Sequence, residues 1–317
     1  MVLLKLIRVK NLMIIALIQI VIKYTLINIF IDDFALTNFN FIIYLISLLS
    51  IVGGGYIIND IYDIETDKIN KRNKNIIIGE IIKIPTCYKI YYILNITGII
   101  LGCYLAFSVN KPIFGLIFIF FTFSLYQYSK KYKKSFAIGN IQVGFLTALS
   151  ILNIILFDLL PEVITQENGS HMIIRIIITY ALFAFIITLI RELIKDLEDI
   201  EGDLYIEAKT IPITLGINKA KWIAISLTII TLLCIGYFQY FQYSIMNTKF
   251  EYDLSIWGVN KIAVVYVILI QILFTLSIYK IYNALKKNDF SIVSKLYKMI
   301  MIFGILAIPL FTYLHLN

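Results

Sequence analysis

Nine long apolar stretches constrain this 317-residue chain more than any other feature of its sequence. They run at about 12–31, 40–61, 88–107, 112–128, 137–157, 172–194, 220–240, 260–282 and 296–314. Most approach or exceed the roughly 20 residues that a helix needs to cross a bilayer. Because lipid offers backbone groups no partner, such stretches must be helical. The sequence therefore predicts an all-α integral membrane protein with nine transmembrane helices, in a single domain over residues 1–317.

The basic residues predict how these helices are oriented. Lysine and arginine gather before the first stretch and after the second, fourth, sixth and eighth, whereas the other connections are mainly acidic. By the positive-inside rule, the lysine-rich face is cytoplasmic. In a cell membrane the N-terminus then lies in the cytoplasm and the C-terminus outside. The same rule accounts for the net charge of +8 without a nucleic-acid partner.

Two acidic motifs follow the second and sixth stretches at this cytoplasmic face. The first motif is residues 59–67 (NDIYDIETD), and the second motif is residues 195–203 (KDLEDIEGD). They match at Asp60/Asp196, Asp63/Asp199, Ile64/Ile200, Glu65/Glu201 and Asp67/Asp203. On a continuous helix, positions i, i+3 and i+7 share one face, so each motif can aim three carboxylates in one direction.

Carboxylates this close repel one another unless a cation lies between them. Mg²⁺ favours hard oxygen ligands and binds substrate phosphates together with one or two carboxylates. Two facing motifs would hold a diphosphate between metal ions. The motifs lie four helices apart, and each is followed by a glycine (Gly79 and Gly216), which predicts two related four-helix halves plus a ninth helix.

The motifs resemble the signatures of the UbiA superfamily of intramembrane prenyltransferases. The first signature reads Asn59-Asp60-x-x-Asp63-x-x-x-Asp67, with Ile69-Asn70 and Gly79-Glu80-Ile81 after it. The second reads Lys195-Asp196-x-x-Asp199-x-x-Gly202-Asp203, with Lys209-Thr210-Ile211-Pro212 and Leu215-Gly216 after it. Tyr128-Ser129-x-x-Tyr132-Lys133 and Gly139-Asn140 are similar to the element between them. Among the branches of this superfamily, the sequence most resembles the one that transfers a geranylgeranyl group to geranylgeranylglyceryl phosphate.

This resemblance implies nine helices around a central cavity and Mg²⁺-dependent transfer of a prenyl group from its diphosphate. The catalytic aspartates would be Asp60, Asp63, Asp67, Asp196, Asp199 and Asp203. One metal ion would take Asn59, Asp63 and Asp67, with Asp60 in or just behind that shell. The other would take Asp196, Asp199 and Asp203.

Further side chains are candidates for substrate binding: Asn11, Asn59, Lys74, Tyr128, Lys133, Asn140 and Lys195. The lysines would complete the diphosphate clamp as point charges. The family often has Pro-x-Arg-Pro where this chain has residues 72–75 (RNKN), which removes a bidentate grip at that position. Lys23, inside the first stretch, is either a site residue or a lysine that extends outward to the interface.

The expected partners are a prenyl diphosphate, a lipid or aromatic acceptor and membrane lipids. We favour an acceptor similar to geranylgeranylglyceryl phosphate, and the alternative within the family is an aromatic, quinone or chlorophyllide-type acceptor. A transporter with acidic ion sites is the alternative from another class. Transport sites usually lie near the bilayer midplane, whereas both motifs here follow helix ends.

Overall fold

The computed structural model describes residues 2–70, 77–161, 169–246 and 260–316. Over these ranges, nine helices are long and apolar enough to cross a membrane, which confirms the predicted fold class. In chain order they are α1 (Val9–Phe30), α2 (Asn38–Tyr62), α3 (Ile84–Ser108), α4 (Pro112–Lys130), α5 (Ile138–Leu159), α6 (His171–Glu198), α7 (Ile217–Gln242), α8 (Lys261–Asn283) and α9 (Lys287–Leu316).

Local sequence signals set several helix ends. The Thr37 side chain accepts a hydrogen bond from the Asn40 amide at the start of α2, and Asn260 caps α8 in the same way. Such caps satisfy amide groups that have no partner within the helix. The last helix begins at Lys287, nine residues before the predicted stretch, because a polar first segment extends α9 beyond its apolar part.

Two hydrophobic clusters make up most of the interior. The larger joins α1 through α6 and the second half of α9, and the other joins α6, α7, α8 and the first half of α9. Between them lies an apolar cavity whose lining comes from α1 and from α5 through α9. Its wall includes Ile14, Ile187, Ile270, Ile300, Gly304 and Phe311. The bundle therefore contains an internal space suited to a hydrocarbon chain.

Matching irregularities agree with two related halves. The α-helical hydrogen bonding of α1 gives way to a π-helical segment at Ile22–Ile27, and α5 does the same at Ile155–Leu159. Gly79 and Gly216 both adopt positive φ angles, of 92° and 89°. Glycine adopts that conformation without the steric cost that a Cβ atom brings.

The two π-helical segments are joined by a buried ion pair, which corrects the expectation for Lys23. Its Nζ lies 2.7 Å from Asp158 Oδ2, and both side chains are fully buried. Lys23 also donates to the Leu36 carbonyl at 2.9 Å, and Asp158 accepts from the Leu36 amide at 2.8 Å. Lys23 therefore neither extends outward nor lies with the acidic motifs. It holds the loop between α1 and α2 against α5.

Candidate active site

Each acidic motif spans a break between two helices. The helix α2 ends at Tyr62, Asp63 has φ −92° and ψ 2°, and a short helix follows at Ile64–Asn70. In the second motif, Asp199 has φ −104° and ψ 12° and precedes the short helix Ile200–Tyr205. The expectation of one continuous helical face was therefore wrong, because the chain turns at the middle aspartate of each motif.

Asp60 lies before this break, in the last turn of α2. The Asp60 carboxylate accepts a hydrogen bond from the Arg8 guanidinium, which precedes α1. Burial opposes the charge on Arg8, but Asp60, together with Tyr56 and Asp63, more than offsets this and raises the pKa of Arg8. Asp60 thus anchors the start of α1 to the site.

Asp63 lies at the centre of the first motif's contacts. Its Oδ2 accepts a hydrogen bond from Asn59 Nδ2 at 2.6 Å and pairs with the Lys133 ammonium. The amide oxygen of Asn59, Oδ1, is buried and has no hydrogen-bond partner within the described residues. An amide oxygen and a carboxylate are thereby held side by side, and one oxygen remains available to a ligand.

Lys133 is positioned by the turn between α4 and α5. A Cβ atom at Gly139 would lie 2.8 Å from the Tyr132 carbonyl, so only glycine lets the start of α5 approach this closely. The Lys209 amide also donates to the Lys134 carbonyl at 2.8 Å, which ties the turn to the loop after the second motif. Burial lowers the pKa of Lys133, but Asp63 and Asp203 outweigh it and leave a net rise, which favours the charged form.

The second motif faces the first. Asn140 Nδ2 donates to Asp196 Oδ2 at 2.7 Å. Burial, together with Asp199 and Asp63, raises the pKa of Asp203 to about 6, although Lys133 acts in the opposite direction. Because Asp63 belongs to the first motif, this interaction shows that carboxylates from both motifs share one electrostatic environment.

A direct contact also joins the two motifs. Asn70, at the end of the first short helix, accepts from the Gly202 amide at 3.1 Å and donates to the Asp199 carbonyl at 3.3 Å. A Cβ atom at Gly202 would lie only 2.3 Å from Asn70 Nδ2, so a side chain there would displace the asparagine. Lys287 of α9 contacts Asp199 Oδ1 at 3.5 Å and the Asn70 carbonyl at 3.0 Å.

The other predicted residues fall into different places. Tyr128 is half-buried, with Asp63 and Asp196 among its charged neighbours, so it lies between the motifs. Lys195 instead contacts Glu192 Oε1 at 2.7 Å, and Asn11 accepts from Lys298 at 2.7 Å. Lys74 lies outside the described residues.

The oxygen donors suit Mg²⁺, although they do not form a complete cage. Among the described residues, no group of three or more His, Cys, Asp or Glu side chains is close enough to hold a metal ion. Mg²⁺ usually binds through one or two carboxylates plus waters and substrate phosphates, so a complete protein cage is not required. The free Asn59 Oδ1 beside Asp63 is the clearest sign of an oxygen ligand set.

Sequence reasoning missed Arg8 and Lys287, and it gave Asn70 a place in the first signature but no role in the site. Their partners lie 52 to 217 positions away along the chain. One signal was present in the motif comparison, since Gly202 stands where the first motif has Thr66. A glycine inside an otherwise matched motif marks a close approach by another part of the chain.

Comparison with known proteins gives a consistent result. The model of the UbiA prenyltransferase family matches residues 24–303. A digeranylgeranylglyceryl phosphate synthase from Methanosphaera stadtmanae is 30% identical over 272 residues, which cover 85% of this chain and 86% of that protein.

Solved structures share the fold. One, from work on digeranylgeranylglyceryl phosphate synthase in membranes, has a TM-score of 0.60 at 25% identity and covers 98% of this chain and 97% of that chain. A UbiA homologue from Archaeoglobus fulgidus, solved bound to DMAPP and Mg²⁺, has a TM-score of 0.56 at 14% identity. That match covers 97% of this chain and 99% of the homologue.

Proposed function

The chain belongs to the UbiA prenyltransferase family, and from this premise we propose its substrates, its metal and its orientation. We propose that it transfers a polyprenyl group from a prenyl diphosphate to a lipid similar to geranylgeranylglyceryl phosphate. The observation that carries the proposal is the meeting of two acidic motifs, through Asn70 and Gly202, beside an apolar cavity. The 30% identity to a digeranylgeranylglyceryl phosphate synthase over most of both chains supports the acceptor.

The reaction breaks the allylic C–O bond of the donor, whose electron pair leaves with the diphosphate. The hydroxyl oxygen of the acceptor forms the new ether C–O bond, and its proton passes to a nearby base such as the departing diphosphate. Lys133, held in its charged form beside Asp63, would stabilise the leaving group. The protein would further accelerate the reaction by placing the acceptor hydroxyl next to the allylic carbon and by excluding water. A hydroxyl nucleophile needs little further chemistry from the protein.

We assign the metal ligands to the two motifs. The first ion would take Asn59, Asp63 and Asp67, and the second would take Asp196, Asp199 and Asp203. Bound Mg²⁺ supplies Lewis-acid neutralisation of the diphosphate charge. The chain's own part is to orient these oxygens, and the Asn59–Asp63 and Asn140–Asp196 hydrogen bonds do so.

The cavity would receive isoprenoid tails. Its lining is mainly aliphatic and aromatic, as a site for a hydrocarbon chain requires. A transporter would place its acidic residues near the bilayer midplane. Here they span the ends of α2 and α6, which favours the enzyme over the transporter.

The lysine distribution supports a site that opens to the cytoplasm, with the N-terminus on the same side. We propose a test in a variant without the three native cysteines. Lys209→Cys should resist an impermeant thiol reagent added to intact cells, whereas Asp32→Cys, exposed at the opposite end of the bundle, should react. The reverse pattern would place the site on the outer side.

The acceptor is tested directly with purified protein and Mg²⁺. Geranylgeranyl diphosphate is supplied with geranylgeranylglyceryl phosphate, and in parallel with homogentisate or para-hydroxybenzoate. A new diether in the first mixture alone is the expected result. If an aromatic acid is prenylated and the glyceryl phosphate is not, the proposed acceptor is wrong, while the fold and the family are unaffected.

A further inference from the structure

A second group of charged side chains lies beside the acidic motifs. Arg191 Nη1 and Lys195 Nζ contact the same Glu192 oxygen, at 3.0 and 2.7 Å. On α9, Lys298 Nζ donates to Asn11 Oδ1 at 2.7 Å, and Arg191 and Glu192 are among its charged neighbours. We call these five residues, which join α1, α6 and α9, the cationic cluster.

The cluster has more positive than negative charge. It contains three cations and one carboxylate, Glu192, which pairs with Arg191 and Lys195, and no ion pair within the described residues includes Lys298. The Arg191 side chain is only 13% exposed, and its Nε is buried without a hydrogen-bond partner among those residues. A buried donor without a partner is unfavourable. The cluster therefore has an unsatisfied donor and an excess charge that an anion would neutralise.

The cluster lies at the cytoplasmic end of the apolar cavity. On each helix, a cavity-lining residue follows one turn deeper: Ile14 below Asn11, Ile187 below Arg191, and Met301 below Lys298. Residues three or four positions apart share a helix face. The three cluster residues and the cavity wall are thus continuous, and an amphipathic molecule could place its anionic head above its apolar tail.

The cluster is also near the site of bond formation, because Lys195 belongs both to the cluster and to the second motif. Arg191 precedes Asp196 by five residues, an axial separation of about 7 Å on a helix. A three-carbon glycerol backbone can span much of that distance between its phosphate and a reacting hydroxyl. Arg8, which pairs with Asp60, is a further neighbour of Lys298 and links the two regions.

We propose that the cationic cluster binds the phosphate of the acceptor lipid, while the acidic motifs hold the diphosphate of the donor. This inference rests on the proposed function. A phosphate monoester carries a charge of about −1.5 to −2 at neutral pH. This charge would neutralise the excess positive charge of the cluster. Arginine suits such a group because its donors form a planar fork, and the prenyl chain of the acceptor enters the cavity below.

Binding measurements separate this role from a structural one. Geranylgeranylglyceryl phosphate and geranylgeranylglycerol are titrated into purified protein in EDTA, so that no metal–diphosphate site contributes. Lys298→Gln and Arg191→Gln should each weaken binding of the phosphate roughly 10- to 100-fold and leave binding of the alcohol unchanged. Lys298→Arg should retain most of the affinity. The matched control is Lys295→Gln, an exposed lysine on the same helix, which should behave as wild type.

Steady-state kinetics separate the two sources of phosphate. The Lys298→Gln variant should have a raised KM for the acceptor and an unchanged KM for geranylgeranyl diphosphate. A rise in KM for geranylgeranyl diphosphate alone would assign the cluster to the diphosphate and overturn the proposal. Equal losses of affinity for the phosphate lipid and the alcohol would also overturn it. If wild-type protein makes no diether at all, the proposed function fails. If it makes the diether and the variants keep their preference for the phosphate, only this inference fails.

Discussion

At the scale of single residues, Asp63 and Asp203 come from different motifs and lie close enough to interact electrostatically. We expect Asp63→Asn and Asp203→Asn each to lower kcat by roughly 10²–10³-fold, the usual cost of removing one group that stabilises developing charge. The change should appear in single-turnover assays with saturating Mg²⁺ and donor.

Glu65 offers a matched control for this prediction. It lies in the same motif, but its side chain is exposed, and within the described residues its ion pair is with Lys68 at the surface. Glu65→Gln should therefore keep wild-type turnover. Near-normal rates in both aspartate variants would remove these residues from the reaction.

Gly202 makes a second prediction at this scale. In Gly202→Ala the new methyl group would displace Asn70 and break both of its hydrogen bonds to the second motif. Two lost hydrogen bonds are worth about 1–3 kcal/mol, or roughly 5- to 150-fold in turnover. The protein should still fold, because the displaced group is the end of a flexible side chain.

A double-mutant cycle checks the mechanism of that loss. If Gly202 acts through Asn70, the variant carrying both Gly202→Ala and Asn70→Ala should be no slower than either single variant. Fully additive losses would mean that the two residues act separately.

At the scale of helices, the buried Lys23–Asp158 pair fixes α1, α5 and the loop between α1 and α2. Removing one partner leaves the other charge buried without a counterion, which destabilises the folded protein by roughly 3–5 kcal/mol. Lys23→Met should therefore lower the thermal midpoint in detergent. A variant with both Lys23→Met and Asp158→Leu should recover much of it, because apolar replacements of a buried pair are often tolerated.

The same pair tests whether the two ends of the bundle act independently. Lys23 lies twelve residues from Asn11, about 18 Å along a helix. The fraction of Lys23→Met that remains folded should have the KM of wild type for both substrates. A changed KM would show that the pair also shapes the substrate site.

At the scale of the whole molecule, the cavity sets the space for the isoprenoid chain. Gly304 lines it, and a Cβ atom there would meet nothing within 4 Å. Gly304→Leu should therefore fill part of the cavity without a clash. We expect kcat/KM to fall for geranylgeranyl diphosphate relative to geranyl diphosphate, and Gly304→Ala to have a smaller effect in the same direction. Equal changes for both donors would place the longer chain elsewhere.

The sequence alone determined the number of helices, the position of both acidic motifs and the family. These properties are local, since helix formation in a membrane follows from length and apolar composition. The match between the motifs also predicted the related halves, through Gly79 and Gly216.

Only the tertiary structure decided which side chains meet. Lys133 contacts Asp63, 70 positions away, and no local pattern predicts this pair, whereas Lys195 contacts Glu192 only three residues before it on the same helix. Asn70 reaches Gly202 across 132 positions of chain. Such contacts depend on how distant helices pack and where each motif breaks, and a pattern of three to four residues carries no information about either.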